Sequence, residues 1–200
     1  MSLLEDQYSD SKNFMARVEL TRKFKTNPYS WLLWIFDQIQ FQDKAKVLEI
    51  GCGNGILWKA NLNRIPEDTR IILSDFSEGM LSDARRVLNG DAERFEYQVL
   101  DAQEISYPDN SLDIVIANLM LYHIPDREKA LSEISRVLKC DGALYATTFG
   151  TGNMREISEL VSTYDDQIHY SLEPLAGAFG LENGEKQLRK SFKEVKMIKY

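Results

Sequence analysis

Apolar residues recur along the chain in two patterns, short unbroken runs and stripes that repeat every three to four residues. From residue 46 onward the two patterns alternate, which is typical of strands and helices that build a parallel α/β sheet. Polar residues interrupt the run at 95–100, as suits a sheet edge, whereas the run at 112–118 is nearly all apolar and predicts a central strand. The runs predict strands at residues 46–50, 70–74, 95–100, 112–118, 143–148 and 194–200.

The stripes between these runs predict helices. Ser77 and Asp126 each precede a stripe, and both residue types are favoured at helix N-caps. The turn at 140–142 (Cys-Asp-Gly) then leads into the fifth strand. The predicted helices cover residues 55–64, 78–88, 127–139, 153–163 and 184–192.

Residues 1–44 precede the alternating region and predict a helical arm. Asn27 followed by Pro28 is typical of an N-cap and a first helical position. The following helix carries an apolar stripe of Trp31, Trp34, Ile35 and Ile39. The stripe predicts a helix packed on the sheet; the alternative is a lid whose aromatic residues line a pocket.

The length of 200 residues fits one domain, with the arm at 1–44, a core at 45–150 and further helices with a last strand at 151–200. The net charge of −7 lacks the basic footprint of a phosphate-backbone binder, which argues against nucleic acid as a partner. A neutral or cationic small molecule fits this charge more easily.

The cysteines and the hydropathy of the chain bear on metal binding, membrane insertion and cellular location. Cys52 and Cys140 form neither a disulfide framework nor a zinc site, so no metal is expected. No apolar run approaches the length of a membrane span, and no signal peptide opens the chain. These observations predict a cytoplasmic protein with no membrane partner; the oligomeric state stays open.

The most informative segment, residues 47–55, reads Val-Leu-Glu-Ile-Gly-Cys-Gly-Asn-Gly. Its apolar run suits a buried strand, and Glu49 places a carboxylate near the strand's carboxyl end, where open α/β sheets bind ligands. The glycines allow a tight turn and a close approach of backbone to ligand. The dinucleotide fingerprint G-x-G-x-x-G requires a third glycine where this chain has Ile56.

The spacing E-x-G-x-G-x-G resembles the first motif of the class I S-adenosylmethionine (SAM)-dependent methyltransferases, and the resemblance extends over residues 45–150. It implies a three-layer, Rossmann-like α/β fold with a mostly parallel sheet, SAM as cofactor and S-adenosylhomocysteine as product. The family's sheet has seven strands, and since 194–200 would be the sixth, the seventh is expected to be missing from this chain. The residues implied to bind the cofactor are Glu49, Gly51, Cys52, Gly53, Asn54, Gly55, Asp75, Phe76, Met80, Asp101, Ala102, Gln103, Asn118 and Leu119.

The resemblance also implies individual roles. Asp75 accepts hydrogen bonds from the ribose hydroxyls, and Asp101 accepts one from the adenine amino group, beside backbone N–H groups of the next two residues. Phe76 and Met80 flank the adenine. The alternatives are a solvated acid or a cap for Asp75, a helix cap for Asp101, and helix packing for the two apolar residues. Within the glycine turn, Cys52 is interpreted as a small buried filler rather than a reactive thiol.

The segment after the fourth strand, Asn118-Leu119-Met120-Leu121-Tyr122-His123, is implied to face both cofactor and acceptor. Asn118 offers its carbonyl to the methionine end of SAM. Tyr122 and His123 are the catalytic candidates, since a histidine with a near-neutral pKa can take a proton from an acceptor. The alternative is a His123 that hydrogen-bonds to backbone and fixes the loop, while His169 has no motif around it.

Together these features predict transfer of a methyl group from SAM to a small-molecule acceptor by in-line displacement. Two other classes of protein remain open. A non-catalytic SAM-binding or regulatory module would keep the same motifs. An NAD(P)-dependent oxidoreductase would share the sheet but needs the glycine spacing that is absent here.

Overall fold

The computed structural model describes residues 12–164 and 171–200. In this part of the chain five strands form one sheet in the order β3-β2-β1-β4-β5, and every neighbouring pair is parallel. The strands are β1 (Lys46–Ile50), β2 (Arg70–Asp75), β3 (Phe95–Val99), β4 (Leu112–Asn118) and β5 (Leu138–Thr147).

Helices connect the strands and precede and follow the sheet. Ser77 and Asp126 cap two of them as predicted, because their side chains accept hydrogen bonds from the backbone N–H groups of Met80 and Lys129. The α-helices are α1 (Lys12–Phe24), α2 (Trp31–Gln38), α3 (Ile56–Lys59), α4 (Glu78–Leu88), α5 (Arg127–Val137), α6 (Arg155–Tyr164), α7 (Glu173–Ala178) and α8 (Gly184–Leu188).

The strand order explains the hydrophobic pattern. β1 and β4 lie inside the sheet and are almost wholly buried, since parallel strands covered on both faces have no solvated side. β3 lies at the edge, where only Phe95 is buried and the other four residues are partly or fully exposed. The predictions of an edge strand at 95–100 and an interior strand at 112–118 are both confirmed.

Helices cover both faces of the sheet and give the predicted three-layer α/β fold. On one face Ile35 and Phe36 of α2 share a buried cluster with Val47 and Ile114. On the other face α5 packs through residues such as Ile134 against the remaining strand positions. The prediction that the helix with the tryptophan stripe packs on the sheet is therefore confirmed.

The predicted start of that helix is wrong. It begins at Trp31, with Ser30 as its N-cap, and not at Pro28. The Asn27 side chain instead accepts a hydrogen bond from the backbone N–H of Tyr29, 2.9 Å away. This local side chain–backbone turn uses the asparagine before a helix can begin.

The predicted turn at Cys140-Asp141-Gly142 is also wrong, because β5 already begins at Leu138 and runs through it. Leu138 pairs with Leu112, and the register shifts between Leu112 and Ile114. At Gly142 a Cβ would lie 3.0 Å from the carbonyl oxygen of Asp113. Only glycine lets the irregular strand pass this close to its neighbour, which is why a turn-like sequence continues a strand.

The last predicted strand is wrong as well, since residues 194–200 form no strand. Instead Tyr200 lies against the stacked rings of Trp31 and Trp34, with centroids 5.2 and 5.4 Å away, and its hydroxyl donates to the carbonyl of Tyr29. Aromatic packing on α2 therefore takes the place of strand pairing.

Several predicted helices are shorter than their stripes. The helix predicted at 55–64 is the single turn α3 followed by a 3₁₀ turn at Leu62–Arg64, α5 ends at Val137, and α8 ends at Leu188. Among the helices described, none is both long and apolar enough to cross a membrane.

Candidate functional site

The glycine loop after β1 owes its shape to three left-handed residues. Gly51, Gly53 and Gly55 have φ angles of +67°, +55° and +71°, a region that side chains rarely adopt. A Cβ on Gly51 would lie 2.9 Å from Cβ of Met120, whereas a Cβ on Gly53 would meet no atom within 4 Å. The loop thus packs against the segment after β4 and leaves open space at Gly53.

Beneath the loop, Glu49 is almost fully buried at 1% exposure. Its Oε2 accepts a 2.5 Å hydrogen bond from the indole N–H of Trp58, on the first turn after the loop. Burial raises the pKa of the Glu49 carboxyl to about 7, the Trp58 hydrogen bond opposes this, and nearby Asp75 adds to it. Burial therefore favours the neutral form of this carboxyl more than in water.

Asp75 ends β2 beside the same loop. Its two oxygens accept hydrogen bonds from the backbone N–H of Gly53 at 3.0 Å and of Ser77 at 2.9 Å. Burial raises the pKa of this carboxyl, and the backbone donors oppose the shift. Because each carboxylate oxygen can accept more than one hydrogen bond, Asp75 retains acceptor positions for a ligand.

Asn54 provides an orphaned polar atom in the loop. The residue is 1% exposed, and its Oδ1 has no hydrogen-bond partner in the described structure. Its Nδ2 lies 3.2 Å from Sδ of Met15 on α1, so the arm reaches the glycine loop. A buried acceptor of this kind is costly unless something donates to it, and a ligand at the loop would supply a donor.

Asp101 follows β3 and lies beside Asp75 along the carboxyl edge of the sheet. Its carboxylate accepts from the backbone N–H of Gln103 at 2.8 Å and from that residue's side-chain amide at 3.0 Å. Gln103 also accepts from the backbone N–H of Asp126, which ties this loop to α5. Ala102 between them is buried. Asp101 therefore makes a local turn and caps no helix, since no helix begins in the described residues between β3 and β4, and its role as an adenine ligand stays a prediction.

Asn118 ends β4, and the structure links it to β5. Thr147 donates its hydroxyl proton to the Asn118 side chain, and the backbone N–H of Leu119 donates to Thr147 Oγ1 at 3.0 Å. Leu119 has a φ of +53°, which is uncommon for a residue with a side chain and stores strain at this point. The chain therefore turns sharply where β4 leaves the sheet.

The two catalytic candidates lie on the 3₁₀ turn Leu121–His123, which follows this bend. The Tyr122 ring lies 4.5 Å from the ring of His123 and 5.0 Å from that of Phe149, between centroids. Both are half-buried. The geometry places them on the segment that also packs on Gly51 through Met120, while His169 lies outside the described residues.

The remaining predicted residues divide by burial. Phe76 is 70% exposed and free to cover a ligand, whereas Met80 is 1% exposed, which favours the helix-packing alternative for the methionine. Cys52 is buried, and burial together with Glu49 and Asp75 raises the pKa of its thiol. A protonated, buried thiol agrees with the filler interpretation.

The structure also shows contributors that the sequence interpretation missed. These are Met15, which contacts the loop from α1, Trp58, which donates to Glu49, and Thr147, which holds the end of β4. A signal existed for Trp58 alone, since a tryptophan in the helix just after a buried acid needs an acceptor for its N–H. Met15 and Thr147 reach the site from distant parts of the chain.

The arrangement suits SAM. The loop leaves space at Gly53, Asp75 faces it with spare acceptor capacity, and Asn54 offers a buried oxygen without a donor. These features match a ligand that carries hydroxyl and ammonium donors. The residues present therefore fit the cofactor that the motifs imply.

Comparison with known proteins gives a consistent result. A family model described as a methyltransferase domain matches residues 48–146. The chain is 36% identical over 105 residues to the ubiquinone/menaquinone biosynthesis C-methyltransferase UbiE of Hydrogenovibrio crunogenus, covering 52% of this chain and 41% of that protein. It is 30% identical over 125 residues to malonyl-[acyl-carrier protein] O-methyltransferase 1 of Ilyobacter polytropus, covering 62% and 46% respectively.

Among solved structures, the chain resembles phosphoethanolamine N-methyltransferase 2 of Haemonchus contortus in complex with phosphomonomethylethanolamine and S-adenosylhomocysteine. The TM-score is 0.64 at 27% identity, with 92% of this chain and 42% of that chain covered. This chain spans about half the length of the curated relatives that it matches.

Proposed function

Because the chain belongs to the class I S-adenosylmethionine-dependent methyltransferases, we propose that it transfers a methyl group from SAM to a small-molecule acceptor and releases S-adenosylhomocysteine. One observation carries the proposal. The glycine loop, Glu49 and Asp75 lie together at the carboxyl edge of adjacent strands, and among them is the buried Asn54 oxygen, which has no hydrogen-bond partner within the described residues. This edge is where open α/β sheets bind ligands.

Asp75 accepts hydrogen bonds from the ribose hydroxyls, and Asp101 with the backbone of Ala102 and Gln103 binds the adenine, which Phe76 covers. At the other end Glu49, Gly51 and Asn118 hold the methionine part, directly or through water. Cys52, Asn54 and Leu119 complete the binding surface. Backbone N–H donors to the Asp75 carboxylate keep it oriented before the cofactor arrives, so little reorganisation accompanies binding.

The sulfonium of SAM supplies a methyl group that is already activated, so the protein's task is alignment and exclusion of water. Holding donor and acceptor in line lowers the barrier by as much as ~7–11 kcal/mol. As the new bond to the acceptor forms, the bond from sulfur to methyl breaks and its electron pair stays on sulfur. His123 accepts the proton that the acceptor loses, and Tyr122 lines the channel beside it.

The atom that is methylated stays open in this proposal. The names of the relatives include a C-, an O- and an N-methyltransferase, so the family alone does not fix it. The proposed acceptor is a small molecule, with no nucleic acid and no membrane involved. The cytoplasm is the proposed location.

Substituting Asp75 tests the cofactor assignment. We expect Asp75→Ala to weaken SAM binding by ~1.5–3 kcal/mol, because charge-assisted hydrogen bonds to the ribose are lost. Calorimetry with SAM, S-adenosylhomocysteine and NAD measures this, with Asp109→Ala, a change at an exposed acid on the far edge of the molecule, as the matched control. Unchanged SAM affinity in a folded Asp75→Ala variant contradicts the ribose role, and NAD binding without SAM binding favours the oxidoreductase.

Turnover tests the enzymatic part of the proposal. Methyl-labelled SAM is offered with three acceptors that differ in the receiving atom: a hydroquinone for carbon, a malonyl thioester for oxygen and phosphoethanolamine for nitrogen. Transfer of label to one of them supports the proposal and identifies the acceptor class. Tight SAM binding with no transfer to any acceptor in this panel or a wider metabolite panel favours the non-catalytic binding module.

A further inference from the structure

The contact between Trp58 and Glu49 joins two residues that constrain each other. Trp58 is fully buried, packed edge-on to Phe36 with ring centroids 6.1 Å apart and tilted against Phe95 at 5.9 Å. A buried indole N–H needs an acceptor, and the Glu49 carboxyl is the one it has. The packed rings thus fix the donor, and the donor fixes where the carboxyl lies.

The described side chains around Glu49 carry no positive charge. Leu73 of β2 and Ile116 of β4 flank it in the sheet. The titratable groups that face it are Asp75, at the end of β2, and the thiol of Cys52 in the loop, and Glu49 raises the pKa of that thiol. Met15, which α1 places at the loop, is uncharged. Among the lysines and arginines whose side chains the structure describes, none forms an ion pair with Glu49.

The neutral and the ionised forms of a buried carboxyl are stabilised by different neighbours. The neutral form carries no charge to desolvate and accepts a hydrogen bond from the Trp58 N–H, whereas the ionised form is stabilised by a nearby cation that offsets desolvation. The methionine end of SAM carries an ammonium group, which the proposed function brings to Glu49 and Gly51. That ammonium is the missing cation.

We propose that Trp58 is a positioning residue of the cofactor site, which holds the Glu49 carboxyl beneath the glycine loop so that the carboxyl releases its proton to solvent when the ammonium of the cofactor binds. This inference rests on the proposed function. It means that cofactor binding is coupled to the release of one proton from Glu49. Cofactor affinity then depends on pH. It rises as the pH passes through the pKa of Glu49 in the free protein, because above that pH no proton has to be removed.

S-adenosylhomocysteine is the probe, because it retains the amino group but lacks the sulfonium charge. With a free-protein pKa of about 7 for Glu49 and an ionised carboxyl in the complex, one released proton predicts that affinity increases about tenfold between pH 6 and pH 8. Titration calorimetry measures the dissociation constant, and the heats in two buffers of different ionisation enthalpy count the released proton directly.

Two variants separate the carboxyl from the tryptophan. Glu49→Gln has no proton to lose, so its affinity should change less than about twofold over the same pH range. Trp58→Phe removes the hydrogen bond that lowers the pKa of Glu49, so the affinity step should move to higher pH. The loss relative to the unmodified protein then shrinks as pH rises, whereas a purely structural loss is the same factor at every pH.

Two controls isolate Glu49 from other groups. 5′-Methylthioadenosine keeps the ribose and adenine but lacks the ammonium, so any pH dependence of its binding reports Asp75 and should be the same in Glu49→Gln. Asp113→Asn alters another buried carboxyl, which lies at the amino end of β4, away from the carboxyl ends where the glycine loop lies. Asp113 accepts hydrogen bonds there from the backbone N–H of Lys46 and the ammonium of Lys139. This variant should leave the S-adenosylhomocysteine profile unchanged.

The outcomes are distinguishable from failure of the proposed function. If the unmodified protein binds S-adenosylhomocysteine with the same affinity from pH 6 to pH 8 and releases no proton, the inference is overturned and the proposed function stands. If the folded protein binds neither SAM nor S-adenosylhomocysteine at any pH, both are overturned. Should a variant fail to fold, the pH profile and proton count of the unmodified protein decide.

Discussion

The cofactor end and the acceptor end of this sheet lie side by side but are assembled in different ways. The cofactor end is the region around the glycine loop that is proposed to bind SAM, residues 47–58 and 74–77. The acceptor end, residues 118–123 and 147–149 with Phe179, begins at Asn118 and Leu119, which are proposed to contact SAM, and continues into the proposed acceptor channel. In the first, one loop and the next strand supply the contacts, such as the bond from the Gly53 N–H to Asp75. In the second, Asn118 meets Thr147, and Thr148 donates to the carbonyl of Phe179.

The two regions differ in what gives them their shape, backbone conformation in the first and side-chain contacts in the second. The cofactor end depends on backbone conformation, because three left-handed glycines make the loop and backbone N–H groups orient Asp75. The acceptor end depends on side chains that meet only after folding, such as Tyr122 against Phe149. Substitutions should therefore affect binding and folding at the first end, and mainly turnover at the second.

The largest expected effect is a loss of turnover on substitution of His123, at the acceptor end. If His123 takes the acceptor's proton, His123→Ala lowers turnover by about 10²–10⁴-fold, the usual contribution of a general base, and changes S-adenosylhomocysteine affinity less than about twofold. Steady-state kinetics and calorimetry measure the two quantities once an acceptor is identified.

A matched variant separates the two interpretations of His123. His123→Gln can still hydrogen-bond to backbone and hold the loop but has no near-neutral pKa. If glutamine restores turnover, the histidine is structural, and the proposal of a base is wrong. If both variants are equally slow, the base role is supported.

An intermediate effect on the unfolding free energy is expected within the glycine loop. Alanine at Gly51 and alanine at Gly53 differ in whether the added Cβ contacts Met120. Gly51→Ala adds the cost of a left-handed side chain, ~1–2 kcal/mol, to a close contact with Met120 worth ~1–3 kcal/mol. Gly53→Ala adds only the first cost, since its Cβ meets no protein atom. Chemical denaturation should therefore show a larger loss in unfolding free energy for Gly51→Ala.

SAM affinity should also distinguish Gly53→Ala from Gly51→Ala. The space that a Cβ would take at Gly53 is where the cofactor is proposed to pass, so Gly53→Ala should reduce SAM affinity more than its small stability loss implies. Equal stability losses in the two variants would contradict the packing of Gly51 on Met120. Unchanged SAM affinity in Gly53→Ala would argue against the cofactor lying at this point of the loop.

The smallest expected effect concerns the link between β4 and β5. Thr147→Val removes the hydroxyl that bonds Asn118 and the Leu119 N–H, so the unfolding free energy should fall by about 1 kcal/mol. Thr147→Ser keeps the hydroxyl and serves as the control. Turnover and cofactor affinity should both fall, since the link orients the segment that carries His123 and also Asn118, which is proposed to hold the methionine part of SAM; an equal effect of both variants would exclude the hydroxyl as the cause.

Much of the fold was predictable because its signals are local. Five of the predicted strands form, and Ser77 and Asp126 cap helices, since burial on both faces and capping depend on nearby residues. The wrong predictions are those where a distant contact overrides a local preference. Gly142 passes close to Asp113 within β5, and Tyr200 packs on the tryptophans of α2 where a strand was predicted.

The candidate site divides in the same way. The glycine loop was evident from residue types and spacing, because left-handed turns need particular residues at particular intervals, and the family and the role of Asp75 followed from the resemblance of these segments to known motifs. The protonation of Glu49 and its bond to Trp58 depend on burial, which no spacing records. The roles of His123 and Tyr122 stay predictions.

The sequence by itself determined that a parallel α/β sheet presents a glycine loop and acids to a nucleotide-like cofactor. Only the tertiary structure decided how Glu49, Asn54 and Asn118 are surrounded, because packing buries Glu49 against Trp58, and Met15 and Thr147 reach the other two from distant parts of the chain. The physical reason is that backbone conformation is set by neighbouring residues, whereas desolvation and hydrogen-bond partners are set by packing.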